Sequence, residues 1–159
     1  MAQGEFALVN EHLAAALHKP PFGWNPVGDH EIYVLLADVA AHQRDETMLA
    51  AYAARAEEIS SGLGHTLYQA MALRALAILD ELHGEMGRAQ ARLKESLRLF
   101  QRMDTRWQMG RTLVNLGELS AAAGKVAEAR NYFSQAAAAF EEMGAHSAAE
   151  RARSSLKTP

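Results

Sequence analysis

Residues 84–104 and 124–144 carry one phrase twice, forty positions apart. Gly84, Ala89, Leu93, Ser96, Phe100 and Met103 return as Gly124, Ala129, Phe133, Ala136, Phe140 and Met143. A fixed period of this length constrains a chain to stacked two-helix units, because one such unit cannot bury its apolar face alone. The register extends backwards. Leu63-Gly64 aligns with Met103-Asp104 and Met143-Gly144, and Leu36-Ala37 with Leu76-Ala77 and Leu116-Gly117. Three full units are expected, over residues 29–64, 69–104 and 109–144. Residues 3–19 read as the second helix of a preceding unit, and 145–157 as a capping helix that begins a following one. The expected fold is a single all-α domain, a superhelical α-solenoid of antiparallel helical hairpins with about eight helices.

Local residue types support each hairpin. In the helix expected from Met86 to Met103, Ala89, Leu93, Ser96, Leu97, Phe100 and Met103 share one arc, the spacing of an amphipathic helix. Ala89 and Ser96 are small enough to let the paired helix approach, while Leu93 and Phe100 fill the gap between layers. Gly84 and Gly124 stand where a left-handed residue would close the preceding helix. Asp45, Thr105 and Ser147 are candidate N-caps, able to accept from first-turn amides that have no helical partner. The four prolines fall outside the three units. Residues 20–28, with three of them and two glycines, are expected to form an irregular connector. Phe22 and Trp24 within it either fold back on the first hairpin or offer aromatic anchors to a partner.

The run Leu113-Val114-Asn115-Leu116-Gly117-Glu118-Leu119, followed by Gly124, Ala129, Phe133 and Ala136, resembles a tetratricopeptide repeat. The second unit keeps Leu73, Leu76, Gly84 and Ala89, with Ala77 for the small glycine and Asp80 for the first-helix aromatic. In the third unit Ser120 takes that aromatic place, and in the first Arg44 takes that of the turn glycine. The resemblance covers the chain after residue 28 and implies a right-handed superhelix. The forty-residue period and phrases such as Glu95-Ser96-Leu97-Arg98-Leu99-Phe100 resemble a bacterial subgroup found beside signal-transduction ATPases, nucleotide cyclases and maltose-regulon-type transcriptional activators.

In that family the first helices of successive units line a concave groove. Carried over by register, the groove positions are Glu31, Val34, Asp38 and His42, then Met71, Arg74, Ile78 and Glu81, then Arg111, Val114, Asn115 and Glu118. Apolar groups mixed with both signs of charge suit an extended peptide or a partner helix, and equally a solvated helix face. Only Asn115, Arg74 and Arg111 echo the Lys, Arg and Asn set with which chaperone-binding members hold a C-terminal carboxylate, which argues against that subtype. Charge is uneven. Residues 1–60 carry nine acids and three bases, whereas 88–111 carry seven bases and two acids. Arg88, Arg92, Lys94, Arg98 and Arg102 share the arc opposite Phe100, a convex basic stripe. It has no interleaved aromatics and the formal net charge of the chain is −3, which argues against nucleic acid as the partner.

No arrangement of residues points to catalysis. The seven histidines form no i, i+4 pair with a suitable acid, so neither a metal nor a cofactor is expected. Asp29-His30-Glu31 is explained by capping at a helix start, and Gly62-Leu63-Gly64 lacks the third glycine and the strand of a nucleotide fingerprint. Adjacent acids such as Glu57-Glu58, Asp80-Glu81 and Glu141-Glu142 do not face one another across a cleft. With no cysteine, no charged-then-apolar leader and no long apolar run, a cytoplasmic protein without a membrane span is expected. The expected role is a non-catalytic protein-interaction module of a bacterial regulatory or signalling system, binding a peptide or helix along the groove. The alternative is an effector domain that senses a small molecule for a transcriptional regulator. Tyr33, Tyr68 and Trp107 are expected near helix starts rather than in the groove, which favours the peptide. The apolar face of Phe6, Val9, Leu13 and Leu17 lacks a partner helix, so a second copy or a longer parent protein is expected to cover it.

Overall fold

The computed structural model describes residues 26–155, which form seven helices joined by short turns. They are α1 (Pro26–Gln43), α2 (Glu46–Gly62), α3 (Thr66–Leu82), α4 (Met86–Arg102), α5 (Arg106–Ala122), α6 (Val126–Glu141) and α7 (His146–Ser155). The expected N-terminal helix, Phe22 and Trp24 lie outside the described residues. The first helix opens at Pro26, three residues ahead of the expected unit boundary. Proline suits a first helical position, where its fixed φ is already correct and its missing N–H would have had no partner. Asp29-His30-Glu31 therefore lies inside α1 rather than capping its start.

Each helix packs on the next, and the first helices α1, α3 and α5 also touch in succession. That is the layering of an α-solenoid, with α1, α3, α5 and α7 on one side and α2, α4 and α6 on the other. One turn is used six times. Positive φ recurs every twenty residues, at Arg44, Gly64, Gly84, Asp104, Gly124 and Gly144. After each of these residues the next amide donates to a carbonyl five positions back, from Asp45 to Ala40 at 3.0 Å through Ala145 to Phe140 at 2.9 Å. This closure satisfies carbonyls that the helix end would otherwise strand. The joint within a hairpin and the joint between hairpins are thus the same structure.

Of the candidate caps, Asp45 accepts from the Met48 amide at 3.0 Å. Thr105 occupies its cap position without capping, and its hydroxyl donates instead to the Phe100 carbonyl at 3.2 Å. Ser147 lies inside the first turn of α7.

The interior follows the forty-residue register. Leu36, Leu76 and Leu116 are all buried, as are Ala56, Ser96 and Ala136. In the third hairpin two glycines admit rings. A Cβ on Gly117 would come within 2.7 Å of Phe133, and one on Gly110 within 2.6 Å of Phe140. Ser96 packs inside the second hairpin and satisfies its hydroxyl on the Ala70 carbonyl at 2.7 Å. Successive hairpins are also linked by side chains: Glu31 with Tyr68, Arg44 with Glu81 and Glu46 with His83. Each pair is thirty-seven residues apart, about one helical turn short of the period.

Candidate functional site in the concave face

A cavity of about 550 Å³ opens on the side of the first helices. Ala41 and His42 reach it from α1, Arg44 from the first turn, and Arg74 and Ile78 from α3. The α5 helix contributes Trp107, Arg111, Val114, Asn115 and Glu118, one face sampled every three or four residues. Arg151, Ala152 and Ser155 of α7 complete the wall with Ala148, and Phe140 of α6 reaches through from behind.

Seven of the twelve groove positions read from the sequence line this cavity: His42, Arg74, Ile78, Arg111, Val114, Asn115 and Glu118. Asp38 and Glu81 hold three of its arginines, Arg74 and Arg111 on the first and Arg44 on the second. The other three are elsewhere. Glu31 accepts from the Tyr68 hydroxyl at 3.0 Å, while Val34 and Met71 are packed into the core beside Phe100. A register that marks the concave side includes positions that the next hairpin covers, and these two are covered. Trp107, Phe140 and Arg151 were not among the positions read from the sequence. Trp107 is the second residue of α5, at the helix start as expected, but that start faces the cavity, and its ring tilts against Phe140 at 5.2 Å. Arg151 stands forty residues after Arg111 and was within reach of the same register.

At the base of the cavity Asp38 receives two arginines from two different hairpins. Arg74 Nη2 donates to its Oδ1 and Arg111 Nη1 to its Oδ2, each at 2.7 Å. Arg74 is only 2% exposed; its Nη1 donates to Gln108 Oε1 at 2.7 Å and its guanidinium lies 5.6 Å from the centre of the Phe100 ring. Burial pulls the pKa of Arg74 down to about 10, with Arg111 adding to the fall and Asp38 opposing it, so the group stays charged at neutral pH. Burial alone would raise the Asp38 carboxyl. The two arginines outweigh it and hold the carboxyl below its ordinary range.

Two turns along α5, Glu118 stands among neighbouring helices with its tip still open to water. Partial loss of hydration pushes its pKa up; the Asn115 amide, donating at 3.3 Å, and Arg44 work against this, and Glu81 with it. On the convex side the basic stripe is partly spent within the fold. Arg88 and Arg92 converge on buried Asp80 at 2.9 and 2.5 Å, and Arg98 pairs with Glu95. Among the described residues no group of His, Asp or Glu is placed to hold a metal ion, and no helix is long and apolar enough to cross a membrane.

No family model and no curated protein matches the chain. Solved structures do. A Rap protein complexed with Competence and Sporulation Factor aligns with a TM-score of 0.85 and 23% identity, over 97% of this chain and 43% of that one. The fold is of the tetratricopeptide type. Aspartyl phosphate phosphatase F from Bacillus subtilis gives a TM-score of 0.68 at 19% identity, covering 77% of this chain and 32% of its own. BtubC from P. vanneervenii gives 0.62 at 21%, covering 98% and 73%. The chain therefore spans less than half the length of the first two, and the likeness is one of architecture.

Proposed function

We propose that this chain is a non-catalytic interaction module of a bacterial regulatory system, binding a peptide or a partner helix in the concave cavity. The observation that carries the reading is the lining itself. Aromatic, aliphatic and charged side chains from four successive first helices converge on one hollow, which is how repeat scaffolds present a binding surface. The likeness to a Rap protein complexed with Competence and Sporulation Factor supports a regulatory setting. The forty-residue period supports the bacterial subgroup with regulatory neighbours, and through it a cytoplasmic setting. Peptide display selected on the chain tests the reading. Selected peptides should lose binding to Trp107→Ala and Glu118→Lys, and peptides that ignore both substitutions would place binding elsewhere.

The exposed Trp107 ring beside Phe140 favours one second reading, a small effector stacked in the same hollow. Thermal-shift measurements with sugars and nucleotides separate the two, since a large stabilisation by such a molecule alone would select the sensor.

A further inference from the structure

The joints between successive first helices repeat one offset. Tyr68 of α3 reaches back thirty-seven residues to Glu31 of α1, its hydroxyl donating at 3.0 Å. Gln108 of α5 reaches back equally far to Met71 of α3, its amide nitrogen 3.8 Å from the sulfur, while its Oε1 accepts from Arg74 at 2.7 Å. At the third joint the same step pairs Ala148 of α7 with Arg111 of α5, and both line the cavity. A phenol ring, an amide and a methyl thus hold one register position in turn. The side chain that wedges into each of the first two joints is cut back at the third, and the cavity opens beside it.

The surroundings of this gap state what fits it. Trp107, one turn before Arg111 on α5, is 43% exposed, and its ring meets Phe140, which packs with Ala148, Ala149 and Ala152. Arg74 and Arg111 share the single carboxylate of Asp38, which leaves one positive charge in excess. Arg74 is sealed in the core, so that charge reaches the cavity through Arg111, whose side chain is partly exposed. The other formal charges at the wall cancel in number, Arg44 with Glu81 and Arg151 with Glu118.

We propose that the gap between α5 and α7 is a side-chain pocket for an aromatic residue of the peptide, one whose neighbour is an aspartate or glutamate. This rests on the reading of the hollow as a peptide site. The ring takes the place that Tyr68 fills at the first joint, against Trp107 and the alanines of α7. Tilted or offset contact with the indole adds to what burial alone supplies. The acid answers Arg111, whose guanidinium carries five N–H groups and places one of them on Asp38. A basic residue beside the ring would meet the uncancelled charge instead, and that repulsion supplies the discrimination.

A positional-scanning library of acetylated and amidated hexapeptides, titrated against the whole chain beside free phenylacetate, tests this on side chains alone. One position should favour Phe, Tyr or Trp over Ala by about tenfold or more, with an acid favoured next to it. Trp107→Ala, at an exposed site, should level the aromatic preference and keep the acidic one. Arg111→Gln, with folding checked by circular dichroism, should do the reverse. Ala148→Gln, checked in the same way, supplies the side chain of the second joint and should exclude the aromatic peptides. Preferred peptides without an aromatic, or an aromatic preference that survives Trp107→Ala, overturn the proposal and leave the peptide groove standing. Phenylacetate binding as tightly as the peptides overturns it in favour of a small effector. A library in which nothing binds overturns both the pocket and the groove.

Discussion

The second and third hairpins wrap the same backbone around different interiors. In the third, Gly110 and Gly117 give up their side chains so that Phe140 and Phe133 can lie against the helix. In the second, Ala70 and Ala77 hold those two places, and Leu93 replaces Phe133. A further position separates them more sharply. Ser120 of the third hairpin is buried and uncharged, whereas its counterpart Asp80 is buried and ionic, answered by Arg88 and Arg92 from the paired helix. The repeat therefore specifies turns and helix spacing, while volume and charge are balanced locally, between facing positions. Tight packing demands the first balance and the cost of burying a charge demands the second.

The comparison is broken most directly at the aromatic. Phe140→Ala should cost about 3–5 kcal/mol in urea unfolding, because a buried ring leaves a cavity that two helices cannot close. A loss near zero would mean that the glycine at 110 is not there to receive a ring. Asp80→Ala should cost less, about 1–3 kcal/mol. Its partners are 56% and 31% exposed, so water can resolvate them when the carboxylate goes. Exchanging volume sharpens the point. Gly117→Ala should cost about 1–3 kcal/mol alone by crowding Phe133, and Gly117→Ala with Phe133→Leu should recover part of that loss by recreating the Ala77–Leu93 pairing. Strict additivity in that double-mutant cycle would refute the compensation.

The test by pH belongs to Asp38, the carboxylate that joins hairpins rather than filling one. Its pKa is lowered in the folded state, so its contribution is present above the unfolded value of about 3.9 and disappears as pH falls through the folded value. Unfolding midpoints measured from about pH 2 to 6 should rise through this window in the native sequence, and more shallowly in Asp38→Asn. Identical slopes would show that the two arginines do not stabilise the charged form.

What could be read beforehand followed from periodicity. The hairpins, the left-handed turns and about half of the cavity wall recur at fixed intervals, and Arg44 could be recognised as standing in a glycine place. Pairings could not. Asp38 meets arginines 36 and 73 residues away because three helices happen to stack at that height, which no single-helix wheel displays. The basic arc of α4 shows the same limit, since the wheel counts Arg88 and Arg92 but not the acid on the helix beside them. Trp107 was placed correctly near a helix start and wrongly set aside, because the direction in which a first turn faces depends on how the following helices curve around it.

The bond from Arg111 to Asp38 has one more consequence. In a linear array each unit ordinarily stabilises only its neighbours, so such proteins fray from the ends. A contact that skips from α5 to α1 ties the outermost described helix to the middle of the stack. Amide exchange along α1 should then slow to the pace of α3 and α5, as one cooperative block, instead of grading smoothly outward.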